Sequence, residues 1–193
     1  MKILFVNTKL EGGAFNFVQT LIGELRQLGH ECFVLYGYGK NALTDKRSFA
    51  FETIKSTSFW IAVANFCTSR FFGKDIFHST YWQKRKLIHL FRQVDIIHLN
   101  VIHSFSWPYE WLLDLILKSN KPVVWTLHDS WLLTGRCSVP ESCQKWRTGC
   151  SPCSNLTAYP PTFFDLTFLE YPRKTTRLKN FTSNTNVCLV SCA

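Results

Sequence analysis

The opening of the chain limits its possible folds more than any other stretch. Residues 2–7, KILFVN, are an apolar run too short for a helix but the right length for a buried strand. The turn TKLEGGAFN follows and holds Gly12 and Gly13. From Ala14 to Leu28 the apolar residues Phe17, Val18, Leu21, Leu25 and Leu28 recur at helical spacing, and Gly29 closes the helix. ECFVLY, residues 31–36, is then a second buried strand. A strand, a glycine turn, a helix and a strand make a βαβ unit, which requires the two strands to run parallel.

The remainder repeats that alternation. Phe49–Ile54 reads as a third strand, and Thr57–Phe72 and Tyr81–Phe91 as helices, the second rich in Lys and Arg. VDIIHLN, residues 94–100, is a buried strand, Trp107–Lys118 an amphipathic helix, and KPVVWTLHD, residues 121–129, a further strand. Residues 130–168 lack a period and carry four cysteines. Leu169–Phe181 reads as a helix and NVCLVSC, residues 186–192, as another strand. The expected fold is an open parallel α/β sheet of five or six strands with helices on both faces, in one domain spanning residues 1–193. A composition of 46% hydrophobic and 18% charged residues is enough to bury such a core.

The formal charge of +9 suits an anionic partner, either nucleic acid, an anionic membrane surface or a phosphate-bearing substrate; it equally fits a solvated basic face. With no leader-like start and no apolar run long enough to span a bilayer, the expected location is the cytoplasm. There, eight cysteines point to metal or free thiols before disulfides. The last apolar strand reads as the opening of a further unit, because a bare terminal edge exposes unpaired backbone.

Chemistry-bearing residues collect after the strands. Gly12 and Gly13 sit at the carboxyl end of the first strand, where glycine and a helix N-terminus favour a phosphate; a plain tight turn explains them equally. The full G-x-G-x-x-G pattern is missing, which counts against a nicotinamide enzyme. His128–Asp129 end the VVWTL strand, where His128 can act as a general base with Asp129 orienting it, or the pair can simply cap the following turn. His98, Asn100 and His103 end the neighbouring strand and can line the same crevice, hold a metal, or be satisfied locally. Cys137, Cys143, Cys150 and Cys153 form C-x5-C-x6-C-x2-C, which can surround one structural Zn²⁺ or remain free thiols. Cys32, Cys67, Cys188 and Cys192 fall in or near apolar segments and read as buried or incidental.

TLHDSWLLTGRCSVPESCQKWRTGCSPCSNLTAYP, residues 126–160, resembles the bacterial family 4 glycosyltransferases of the colanic-acid and exopolysaccharide type. Their TLHD-x-W-x-x-T-G-x-C and C-x-x-W-x-x-G-C-x-x-C-like segments are matched by His128, Asp129, Trp131, Thr134, Gly135, Cys137, Cys143, Trp146, Gly149, Cys150 and Cys153. Looser likeness runs through MKILFVN, LGHECFVLYGYG and DIIHLNVIH. Asn100 and residues 139–142 depart from the pattern, a difference that bears on acceptor specificity.

The resemblance implies the N-terminal, Rossmann-like, acceptor-side domain of a GT-B fold. A donor-binding second domain would lie beyond residue 193, so the fragment alone is expected to be inactive. The implied reaction is retaining transfer from a nucleotide-sugar to a saccharide acceptor, either free or lipid-linked, with no metal needed for transfer. It places His128 at the reaction centre and Gly12 and Gly13 near the donor phosphates; Asn100 and His103, beside His128 at the neighbouring strand end, are the expected acceptor-side residues. The protein would be cytoplasmic and peripheral to the membrane, without a nucleic-acid partner. The competing expectation is a zinc-stabilised module that binds an anionic partner such as nucleic acid.

Overall fold

The computed structural model describes residues 1–39, 51–78 and 80–191. Within them the chain runs β1 (Lys2–Asn7), α1 (Gly13–Gln27), β2 (Glu31–Tyr36), β3 (Glu52–Lys55), α2 (Phe59–Phe72), α3 (Tyr81–Gln93), β4 (Ile96–Leu99), α4 (Tyr109–Ser119), β5 (Val123–Leu127), α5 (Thr167–Thr182) and β6 (Val187–Ser191). The strands form one sheet in the order β3-β2-β1-β4-β5-β6, and every pairing among the described residues is parallel. The expected third strand begins three residues later than the pattern indicated; Phe49, Ala50 and Cys192 lie outside the described residues.

β1 is central, which explains its unbroken apolar run. Alternate side chains enter two separate cores, Ile3 and Phe5 on one face and Leu4 and Val6 on the other. α1 covers the first face with Phe15, Val18 and Ile22. α3, α4 and α5 cover the second with residues such as Phe91, Leu112 and Phe181. Helices therefore flank both faces. The buried stripe of α1 is rotated from the sequence expectation, since Phe17 and Leu28 are exposed. Phe17 is instead turned toward the carboxyl end of β5.

Residues 128–166 contain little regular structure beyond a 3-10 turn at Lys145–Arg147. Their order comes from a few buried polar pins. The Arg136 guanidinium donates to the carbonyls of Ala158 (2.8 Å), Asn155 (2.6 Å) and Pro160. Lys174, reaching in from α5, donates from Nζ to the Trp131 carbonyl at 2.7 Å and lies 4.1 Å over that indole ring. Asp165 accepts from the backbone N–H of Cys153 at 2.6 Å.

Candidate functional site at the carboxyl ends of the strands

In a 3-2-1-4-5-6 sheet the chain reverses direction of winding between β1 and β4, which opens a crevice at their carboxyl ends. Asn7 and Thr8, just after β1, tie its rim together. Asn7 Oδ1 accepts from the Val101 N–H (3.2 Å), Thr8 Oγ1 donates to the carbonyls of Val101 and His103 (2.8 Å each), and the Thr8 carbonyl accepts from Gly37 and Tyr38. These two residues carried no motif signal. A buried Asn or Thr closing a strand is recognisable only once its neighbours are known.

His128 follows β5 and is half-buried. Its Nε2 lies 2.9 Å from Asn100 Oδ1. The Asn100 amide nitrogen in turn donates to the His98 carbonyl at 3.3 Å, which directs the oxygen toward His128 and makes Nε2 the donor. Burial lowers the pKa of His128, against an opposing pull from Asp129, so the ring is neutral near pH 7. The Phe17 ring of α1 meets the imidazole edge-on at 5.2 Å. That contact sets His128 beside the first turns of α1. There Gly12 has φ +87°, a Cβ at Gly12 or Gly13 would meet nothing within 4 Å, and the first turn carries no acidic residue. The helix start is thus open, uncapped by a side chain and electropositive.

The side-chain oxygens of Asp129 hydrogen-bond to His103 and Trp131. One oxygen lies 2.8 Å from His103 Nε2 and the other accepts from the Trp131 N–H at 2.9 Å. Burial pulls its pKa up, but the hydrogen bond and charge of His103, with the Trp131 N–H, outweigh that and hold the carboxyl below its usual range. His103 continues the chain, its Nδ1 lying 2.7 Å from Ser104 Oγ, with the ring stacked on Trp131 at 5.1 Å. Asn100 and His103 are both buried and engaged with protein partners. His98 is held 2.7 Å from Thr126 Oγ1, and burial, with help from His128, lowers its pKa to about 4. The three strand-end residues His98, Asn100 and His103 therefore serve different partners and do not converge on a metal.

The expected four-thiolate zinc site is not supported. Among the described residues no group of three or more His, Cys, Asp or Glu side chains is placed to hold a metal ion. Cys150 Sγ accepts from the Gly135 N–H at 3.0 Å, and burial raises its pKa. Cys153 Sγ lies 3.5 Å from the Asn155 carbonyl. The loop has a source of order in protein groups, the Arg136 fork and Lys174. Cys32 is buried, whereas Cys67 and Cys188 are exposed.

Behind the Asp129–His103 pair a cavity of about 50 Å³ is lined by Asp75, Ser104, Tyr109, Arg136 and Lys174 among others. Burial, reinforced by Glu110, raises Asp75 to about 8 against the opposing Phe105 N–H, which it accepts at 2.7 Å. Burial also lowers Lys174 to about 7, partly offset by Cys150, Cys137, Asp129 and Glu170.

A doubly wound parallel sheet with helices on both faces, an open glycine turn after β1 and a histidine after β5 define a Rossmann-like α/β domain. The Glycosyltransferase Family 4 profile matches residues 11–151, and the chain belongs to that family. It is 34% identical over 175 residues to the Escherichia coli (strain K12) protein named as colanic acid biosynthesis glycosyl transferase WcaC, a match covering 86% of this chain and 42% of that one. The chain thus spans less than half the length of this curated relative. A crystal structure of Anabaena Alr3699/HepE in complex with UDP and glucose is similar at a TM-score of 0.42 and 17% identity, over 67% of this chain and 30% of that one.

Proposed function

We propose that this chain forms the acceptor-side wall of a GT-B sugar-transfer cleft, in a protein that moves a sugar from a nucleotide-sugar to a saccharide acceptor of surface polysaccharide synthesis, with retained anomeric configuration. The observation that carries the reading is His128, a neutral imidazole held by Asn100 beside the open start of α1. The family membership and the WcaC relative support it from outside the geometry.

In this reading the neutral His128 lines the reaction centre and can exchange a proton or hydrogen bond with a sugar hydroxyl. Charge accumulating on the departing diphosphate is met by the α1 N–H groups at Gly12 and Gly13 and by basic side chains of a donor-binding domain, without a metal. The acceptor is lipid-linked, and the protein works as a peripheral protein on the cytoplasmic membrane face. Among the described residues no helix is long and apolar enough to cross a membrane. Donor and acceptor must be held together across a closed cleft, because positioning supplies much of the rate. Residues 1–193, expressed without a donor-binding domain, should therefore transfer no sugar above background.

The test is sugar transfer by a protein carrying this chain joined to its donor-binding half. His128→Ala should lower kcat by about 100-fold, with a small change in KM for the nucleotide-sugar and an unchanged circular dichroism spectrum. Full turnover by that variant would overturn the assignment. Salt-dependent nucleic-acid binding in roughly the micromolar range, without response to any nucleotide-sugar, would favour a binding module instead.

A further inference from the structure

α2 is built inside out. A helix on a globular domain ordinarily buries its apolar stripe and shows its polar one. Here the buried positions are Ala62, Asn65 and Ser69, while Phe59, Trp60, Val63, Phe66, Phe71 and Phe72 are exposed. Trp60 and Phe59 are 77% and 66% exposed, and Asn65 is 0% exposed. The arrangement is specified rather than loose. Asn65 Oδ1 accepts from the N–H groups of Ile76 (3.1 Å) and Phe77 (2.8 Å), and its amide nitrogen donates to the Phe77 carbonyl at 2.8 Å. That side chain fixes the following segment against the helix, so the aromatic side has no choice but to face outward.

The exposed surface continues on both sides of α2. Ile76 and Phe77, fastened by Asn65, are exposed, and so are Tyr81 and Trp82 at the start of α3. Phe77 and Tyr81 are four residues apart, about 14 Å at full extension. On the other side, the Phe163 N–H donates to the Arg70 carbonyl at 2.8 Å and its ring lies 5.2 Å from that of Phe71. Phe163, Phe164 and Phe168 are themselves exposed. This is far more clustered aromatic surface than scattered exposed residues would give.

The charge of the band selects its occupant. Residues 59–93 contain Arg70, Lys74, Lys84, Arg85, Lys86 and Arg92 against the single acid Asp75. Asp75 is turned inward onto the Phe105 N–H. Arg85, Lys86 and Arg92 line one exposed groove of α3 together with Trp82. Lys74 is taken up by Glu170 of α5 at 3.5 Å, and a second copy of this chain would bring the remaining basic excess of α2 and α3 against itself, with Asp75 the single acid among residues 59–93. Aromatic rings beside basic side chains, on two helices that carry no acid of their own, match an interface of acyl chains beneath anionic headgroups.

We infer that the band formed by α2, residues 76–78 and the exposed outer groups of α3 docks on an anionic lipid bilayer, with Phe59, Trp60, Phe71 and Phe72 entering the headgroup boundary. This deepens the membrane-side placement proposed above and names the surface that makes it. It also has a geometric consequence. Phe66 of α2 meets Phe105 at 5.2 Å, and Phe105 lies 6.2 Å from Tyr38, which follows β2. The inserted helix therefore adjoins the rim of the strand-end crevice, so a lipid-linked acceptor would reach that crevice from the headgroup level.

The test is flotation of the 193-residue chain with vesicles of phosphatidylcholine alone, and of phosphatidylcholine with about one-third phosphatidylglycerol. The chain should float with the anionic vesicles, and salt should weaken that binding. Phe59→Ser with Trp60→Ser should reduce anionic-vesicle affinity by roughly tenfold or more. Arg85→Glu, Lys86→Glu and Arg92→Glu together should abolish the preference for anionic lipid, at roughly fivefold for each charge lost. Circular dichroism matching the parent checks that both variants are folded.

Equal binding to neutral vesicles, or binding unchanged in either variant, overturns the inference. So does retention by an oligonucleotide without retention by vesicles, or a concentration-dependent dimer that Trp60→Ser dissolves. Vesicle binding requires no nucleotide-sugar. Its failure in a protein whose transfer still depends on His128 would therefore sink the docking surface and leave the sugar-transfer reading standing, and the reverse result would separate them equally well.

Discussion

Two buried ionisable side chains on one cavity give opposite dependences of stability on pH. Asp75 is raised from 3.8 to about 8 in the folded chain. Between those values the folded state holds a proton that the unfolded state releases, so this group makes stability fall as pH rises through the window. Asp75→Asn keeps an oxygen for the Phe105 N–H and removes the ionisation. The variant should be more stable than the parent above pH 8, by about 4 °C or more in Tm, and closer to it near pH 4. Lys174 is lowered from 10.5 to about 7, so the unfolded state holds the extra proton and stability rises with pH across that window. Lys174→Met should flatten that rise. Denaturant melts at several pH values decide both, and parallel profiles for variant and parent would contradict them. Asn100 acts on the site through His128. Asn100→Ala should lower transfer by about tenfold and leave the sheet intact, and a neutral effect on turnover would remove its positioning role.

At the scale of elements, two junctions carry the arrangement. Gly37 follows β2, where an added Cβ would stand 1.9 Å from Ser106 Oγ in the loop after β4. Gly37→Ala should cost about 2 kcal/mol in a denaturant melt, and adding Ser106→Gly should recover most of it. Failure of that rescue would mean the two loops are not in this apposition. The second junction is Arg136, whose fork holds three carbonyls of the cysteine-rich loop. Arg136→Met should destabilise the chain by about 3 kcal/mol and open residues 152–160 to protease. Neither device shows in the sequence, because glycine and arginine are read locally as a turn and a surface charge. The strands and helices were legible to within a few residues, since their apolar periods of two and 3.6 are local properties. α2 was legible as a helix but not in its orientation, which depends on Asn65 bonding across to residues 76 and 77.

At the scale of the whole molecule, the sheet is completed by long-range parallel pairings from β3 to β6, with cores on both faces. The loop over residues 130–168 is ordered by protein groups that belong to this same body. Prolonged exposure to a chelator should therefore leave Tm unchanged, and a fall of several degrees reversed by Zn²⁺ would restore a metal role for Cys137, Cys143, Cys150 and Cys153.

The sequence by itself determined the alternation of strands and helices, the burial of β1 on both sides, and the gathering of Gly12, Asn100, His128 and Asp129 at strand ends. Each follows from hydrophobic periodicity and turn chemistry within a short window. Only the tertiary structure decided that Asn100 serves His128 while Asp129 serves His103, that Phe17 leaves the core to meet His128, and that α2 shows its aromatic side. Those choices depend on which strand lies beside which and on a few ångströms of side-chain reach. Contacts between residues 26 to 111 positions apart are fixed by the packing of the sheet, not by any pattern along the chain.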